Sequence, residues 1–570
     1  MNCSNSWLSK RVVEADVIPD AVKLARWSLY VSSEGEIMLV WSIGVVMAAE
    51  CVGLVRLLRV PPFRFAQSLF PMAVPLHKEL RDTERIRIET KLGPITGARA
   101  SNNAAVFLEI PYALPPERFE DPKPLPPDFR YEDKEYTRES RYGYQPQNDG
   151  QARGRLSWLA MLFLSRRPDT PMENKVGLGK PSEDPLFADV VCPPSFPGKT
   201  GFPVKVYIHG GFLQFGGPHG LNSQAQYVAA ERNEVYVNLG YRLSAFGFLA
   251  SDSPPISGNF GFKDLWLGVS WIKEHINAFG GDPENIQITG LSAGAHAVHQ
   301  LLHFASHLPE GVSAPFSSAV LQSNSIIYPP RTPAELRPQF AALCTALKID
   351  PTSPTALAQL KSVAPEEITT AIETDALGVV YGTFRGCWDG QNWLPSSANP
   401  MEWQRSGAFA RALRAKGVRS IVVGDLTEEW YLYSIAHPIA SFDEIAPNLE
   451  RYYQREVVEG LMKMYPKPQD GDGDALKRFY GDLFRYVTHG TDRMLWAFRA
   501  PNLTESQMDV ARNWLDRVQE ETAAIEKAGK SVHGLRDILV LGLGKDDAIG
   551  WTEDALWEQK MRLLDALPSL

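Results

Sequence analysis

The stretch Gly290-Leu291-Ser292-Ala293-Gly294 is where this chain could do nucleophilic chemistry. A serine hydroxyl attacks a carbonyl only when a base takes its proton and the oxygen is held clear of the backbone. A sharp turn from strand to helix does the second, and it is tight enough to demand small residues on both sides of the serine. The preceding Ile286–Thr289 reads as a short apolar strand and the following residues as a helix rich in alanine. The start of that helix offers the Ala293 N–H to a developing oxyanion. Three fixed residues of ordinary abundance recur by chance in about one chain in five of this length. The alternative is therefore a glycine-rich turn with an idle serine, and the strand before and helix after the motif favour the nucleophile.

A second group is His209-Gly210-Gly211, which ends the apolar run Val204–Ile208. Glycines let a loop turn its amides inward, so this turn is a candidate for the other half of an oxyanion hole. The competing constellation is His296, His299, His303 and His307, one stripe on the helix after the serine. Imidazoles one turn apart can bind zinc. Gln300 stands where the glutamate of H-E-x-x-H would be, and no thiolate converges, so packed neutral histidines are the reading and no metal is expected.

These residues need elements to hold them. Arg85–Thr90, the run from Phe107 into Ile110, Leu186–Cys192, Val204–Ile208, Val235–Leu239, Ser317–Gln322 and Arg419–Val423 read as strands. Asp264–Phe279, Ser506–Ala528 and Thr552–Ala566 read as helices. Strands alternating with helices point to an α/β protein with a mostly parallel sheet.

The chain has 570 residues, 22% charged and 44% hydrophobic, with a formal net charge of -9. There is no basic run, so nucleic acid is not expected as a partner. The five cysteines, Cys3, Cys51, Cys192, Cys344 and Cys387, are scattered without a C-x-x-C pair, which argues against a disulfide framework. Residues 83–570 read as one domain and residues 1–82 as an extension. Within the extension, 37–55 is apolar apart from Glu50 and long enough to span a bilayer. It reads as a candidate membrane anchor or as a buried N-terminal helix. No clear cleavable signal peptide precedes it. A cytoplasmic or membrane-associated location is expected.

Taken together, Phe107–Pro116, Ser182–Asp184, Ile208–Phe212, Tyr241–Leu243, Phe246–Phe248, Gly258-Asn259 with Asp264, Phe279–Pro283, Gly290–Gly294 and Leu321–Ser323 resemble the type B carboxylesterase and cholinesterase-like family. The resemblance implies the α/β-hydrolase fold, with helices on both faces of a mostly parallel central sheet. It implies ester hydrolysis through a Ser–Glu–His triad without a cofactor. The third glycine of the family's loop is Phe212 here, whose N–H remains available provided its ring points away from the hole, so the implied oxyanion donors are Gly211, Phe212 and Ala293. Leu291 stands where many members carry a glutamate, which favours a neutral, apolar ester over a cationic one. Pro185 replaces a cysteine.

In the family's order the acid follows the strand ending at Val423, which implies Glu429, with Glu428 and Asp425 as rivals. Of eleven histidines, only His437, His489 and His533 come later. His489-Gly490-Thr491-Asp492 matches the family's His-x-x-acid form, so His489 is the implied base and His533 the alternative. The interval from Glu429 to His489 is sixty residues, short for the family. The expected activity is serine carboxylic ester hydrolysis on a small-molecule ester. An acyltransferase using the same serine and a catalytically silent interaction protein are the alternatives.

Overall fold

Runs such as Phe187–Cys192 and Val235–Leu239 are buried at every position. Such runs belong in a sheet covered on both faces, where alternation of polar and apolar residues disappears. The computed structural model of the chain describes residues 27–31, 37–41, 76–146, 176–220, 223–325, 329–395, 399–426, 439, 441–464, 492–529, 533–534, 536–541, 549–555 and 557–558. Among them, nine strands build one sheet. They are β1 (Arg85–Thr90), β2 (Gly93–Arg99), β3 (Ala105–Pro111), β4 (Phe187–Cys192), β5 (Phe202–Ile208), β6 (Val235–Leu239), β7 (Gly281–Leu291), β8 (Ser318–Gln322) and β9 (Ser420–Gly424).

Their order across the sheet is β9-β8-β7-β5-β6-β4-β3-β2-β1. From β9 to β6 every pairing is parallel, whereas β4, β3, β2 and β1 join by antiparallel pairings. Only β4 and β2 therefore run against the rest, and the sheet is mostly parallel, as expected. Parallel neighbours need crossovers, and helices α1 (Phe260–His275) and α2 (Ala293–Ser306) supply two of them. Both helices bury their apolar residues in the one large core that lines the sheet.

The register sets the level of the site. Gly290 of β7 lies beside Ile208 of β5, Leu291 beside Gln322 of β8, and Gln322 beside Gly424 of β9. Four parallel strands thus end close together at their C-terminal edge, where open α/β sheets bind ligands. Behind this edge Arg242 grips Asp264 of α1 through Nη2–Oδ1 at 2.6 Å and Nε–Oδ2 at 2.8 Å, both side chains almost fully buried. That bidentate pair fixes the turn after β6 to the helix.

The described residues fall into two compact units, one within Val74–Ala497 and the other within Met1–Ala73 and Phe498–Lys560. The sheet belongs to the first. In the second, Trp27–Val31 pairs with Ile37–Trp41, and Asp537–Leu541 with Ile549–Glu553, both antiparallel. The helix Glu505–Ala528 starts at a Thr504–Gln507 capping box and stops at the left-handed Gly529.

Two expectations change here. Thr552 and Glu553, read as the start of a helix, lie in a strand. The β-branched and apolar partner Asp537–Leu541 outweighs local helical periodicity. Of the apolar run 37–55, Ile37–Trp41 is a strand, and 42–55 lie outside the described residues. No described helix is long and apolar enough to cross a membrane.

Candidate active site

Strand β7 ends at Leu291, and α2 begins at Ala293, so Ser292 alone makes the turn. It sits at φ 59° and ψ −126°, a conformation a side-chain-bearing residue rarely adopts. Holding a non-glycine residue there costs on the order of 1–3 kcal/mol and needs a surrounding structure that leaves no alternative. The surroundings comply. The Ser292 N–H donates to Gln322 O at 2.8 Å, and Ser292 O accepts from His296 N at 3.0 Å. A Cβ at Gly290 would lie 2.3 Å from Gly294 C, and one at Gly294 would lie 2.1 Å from Ile208 O. Both flanking positions therefore admit only glycine.

The loop leaving β5 closes over this elbow. A Cβ at Gly210 would lie 3.1 Å from Ser292 Cβ and 3.6 Å from Ala293 N. Gly211, Phe212 and Leu213 follow with φ of 117°, 57° and 65°. Three successive left-handed residues turn the chain sharply at the serine. Gln214 braces them, with its Nε2 donating to Phe212 O at 3.0 Å and its Oε1 accepting from Phe384 N at 3.1 Å. Leu213 O accepts from Ser244 N at 2.8 Å. The amides of Gly211, Phe212 and Ala293 thus belong to segments that meet at Ser292.

His209 does not titrate in the working range. Its ring stacks on Tyr241 at 4.6 Å, and Nδ1 lies 2.9 Å from Gly210 O. Burial pushes the imidazole down to about 4. The histidine stripe on α2 is likewise neutral. His299 is pushed down to about 4 by burial, and His303 well below its usual value by burial and by its neighbouring histidines. His303 stacks on Phe409 at 4.5 Å and His307 on Trp403 at 5.0 Å. Among the described residues no group of histidines, thiols and carboxylates could hold a metal.

The buried rings of His209 and His299 make a pH prediction. Each binds its proton in the unfolded chain near pH 6.5 but not in the fold until about pH 4. Stability from each is present above 6.5 and lost as pH falls towards 4, about 2.5 kcal/mol apiece between pH 7 and 4.5. Urea unfolding at the two pH values measures it. His299→Gln should flatten the slope by that amount, and an unchanged slope would refute the account.

Glu429 and His489, with Glu428 and His437, lie outside the described residues. Strand β9 ends at Gly424, whose carbonyl accepts from Ser323 N at 2.7 Å. After His489 the described residues begin at Asp492. Arg493 lies 3.7 Å above the ring of Tyr207, two residues before His209. His533, the alternative base, stacks on Trp551 at 3.7 Å and lies 3.6 Å from Glu521 Oε2.

Residues 84–412 match the Carboxylesterase family. The chain belongs to that family. Its curated relatives include an uncharacterized esterase/lipase of Schizosaccharomyces pombe, 31% identical over 320 residues, 53% of this chain and 58% of that protein. A carboxylic ester hydrolase of Gibberella moniliformis is 29% identical over 66% of this chain and 67% of its own length. The match thus spans under two thirds of the S. pombe relative. Among solved structures a PNB esterase superposes with a TM-score of 0.61 at 22% identity, covering 84% of this chain and 99% of that one, which shows the α/β-hydrolase fold.

One group escaped the sequence reading. Glu109, Asp189 and His219 form a buried charged cluster next to the loop that follows β5. Its members lie in an apolar strand, a second strand and a loop, and carry no common motif.

Proposed function

We propose that this carboxylesterase-family chain hydrolyses neutral, apolar carboxylic esters through an acyl-enzyme on Ser292. The observation that carries the reading is the strained Ser292 elbow with the Gly210–Phe212 loop folded against it. Ser292 Oγ attacks the ester carbonyl. The N–H groups of Gly211, Phe212 and Ala293 take up the negative charge on the carbonyl oxygen. His489 accepts the serine proton and passes it to the departing alcohol, and a water then repeats the sequence on the acyl-enzyme. Glu429 holds the imidazole in the required tautomer.

Two features support these partners. The Glu429 loop leaves β9 from Gly424, level with Gln322 and so with Leu291. Four residues after His489, Arg493 packs on Tyr207, so the chain returns to the strand that leads into the oxyanion loop. Substrate polarity follows from the elbow. Leu291 precedes the serine, and the rings of Phe212 and Phe215 lie 6.0 Å apart in the loop beside it. The test compares short-chain p-nitrophenyl esters with a choline ester of the same acyl group. The neutral ester should be turned over with a kcat/KM at least about 10-fold higher, the worth of one well-placed apolar group. Preference for the cationic ester would overturn the polarity argument, and the absence of hydrolysis would overturn the reading.

A further inference from the structure

The oxyanion loop does not end at its strained residues. It runs on through Gly216, at φ 118°, and Gly217 to His219. Gln145 clamps Gly216 on both sides, Oε1 accepting from its N–H at 2.7 Å and Nε2 donating to its carbonyl at 2.9 Å. Three residues later the His219 side chain is wholly buried between two carboxylates. Nδ1 lies 2.8 Å from Asp189 Oδ2, an ion pair, and Nε2 lies 3.1 Å from Glu109 Oε1. Its ring stacks on Phe187 at 5.0 Å.

With carboxylate oxygens beside both ring nitrogens, the doubly protonated imidazolium is the form that both carboxylates attract. Burial alone would lower its pKa. The charge and bonding of Asp189, with Glu109 and Glu139, instead raise it well above the usual value. Glu139 in turn pairs with His77 at 3.3 Å and accepts from Leu178 N at 3.0 Å. On the β3 side the geometry is bent to fit. Glu109 stands at φ 55°, where the β3–β4 register slips between Phe107 and Ile110. Its backbone N–H donates to Asp189 Oδ1 at 2.9 Å, and its carboxylate takes the Ser140 hydroxyl and the N–H groups of Ser140 and Arg141. A buried cluster of three charges and a left-handed glutamate are both costly. They occur together at the point where the oxyanion loop is tied back to the sheet.

We propose that His219 is a positioning residue for ester hydrolysis, pinning the far end of the oxyanion loop to β3 and β4 through Glu109 and Asp189 so that the Gly211 and Phe212 amides stay aimed at the reacting carbonyl. This rests on the hydrolase reading above. The near end of the loop is fixed by β5 and by the close approach of Gly210 to Ser292. The far end is fixed by Gln145 and by the His219 cluster. With the second anchor gone, the left-handed residues between them relax.

The experiment uses the full chain with His219→Gln and the milder Glu109→Gln. It measures kcat and KM on p-nitrophenyl acetate, the Ki of an aryl trifluoromethyl ketone, and amide hydrogen exchange over 209–217. The ketone's adduct with Ser292 places an oxyanion in the hole. His219→Gln should lower kcat about 10²-fold, the cost of a misplacement near 1 Å, while KM stays within about twofold. The ketone Ki should rise by the same factor as kcat falls, and exchange over 209–217 should quicken. Glu109→Gln should show the same pattern more weakly, and it carries the test if His219→Gln does not fold. Unchanged kcat and Ki, or a rise in KM alone, would overturn the proposal. If the parent shows no Ser292-dependent hydrolysis, the hydrolase reading fails, and exchange alone decides the anchor. Unchanged protection over 209–217 then refutes it.

Discussion

Ser292→Ala is expected to lower kcat for a p-nitrophenyl ester by about 10⁵–10⁶-fold while the fold persists. Alanine is smaller than serine, and the clash that fixes the elbow comes from positions 290 and 294. The backbone bonds of residue 292 to Gln322 and His296 do not involve the hydroxyl. The variant therefore removes the nucleophile and leaves the oxyanion amides in place. His489→Ala should cost a similar factor, and the double variant no more than either alone, because nucleophile and base act as one unit. Steady-state kinetics with active-site titration separates the outcomes. Activity retained in His489→Ala and lost in His533→Ala would move the base to His533. A folded parent that neither hydrolyses nor is titrated would make this a silent member of its family. Adding alcohol acceptors and finding the transfer product would make it an acyltransferase.

The reason so much of this site is legible in sequence is that it depends on local demands. A strand, a glycine, a serine, a glycine and a helix can form the elbow in few ways, and the observed φ of Ser292 is the one that requires both glycines. The buried runs of β4 and β6 announce themselves because a sheet covered on both faces selects apolar residues at most positions, with Asp189 and Asn238 the exceptions. Glu109 is different. In sequence it is one acid in an apolar strand, and its left-handed backbone and its bond to His219, 110 residues later, are settled only when β3 meets β4. The same applies to Thr552 and Glu553, whose strand exists because Asp537–Leu541 lies alongside. The histidine stripe on α2 was legible as a stripe. That its rings are neutral follows from burial against Phe409 and Trp403, residues about a hundred positions away.

Gly294→Ala should damage stability and catalysis together. Its Cβ would lie 2.1 Å from Ile208 O and 3.0 Å from His209 C, all backbone atoms, so no side chain can swing away. Either α2 moves off the end of β5, or β5 shifts against β7, with which it pairs at Ile208 and Gly290. A backbone clash of this kind belongs with the large destabilisations, at least about 4 kcal/mol. The atoms that must move are those that set the oxyanion hole, because Ala293 lies at the helix end and Gly210 at the strand end of the same contact. A variant that still folds at low temperature should thus lose a further factor of at least about 10² in kcat, with Ser292 present and His489 untouched. Urea unfolding and kinetics at 10 °C test both halves. A variant with parental stability would show that the elbow is looser than the Ile208–Gly294 approach implies. One with reduced stability and parental kcat would show that the oxyanion amides are held independently of it.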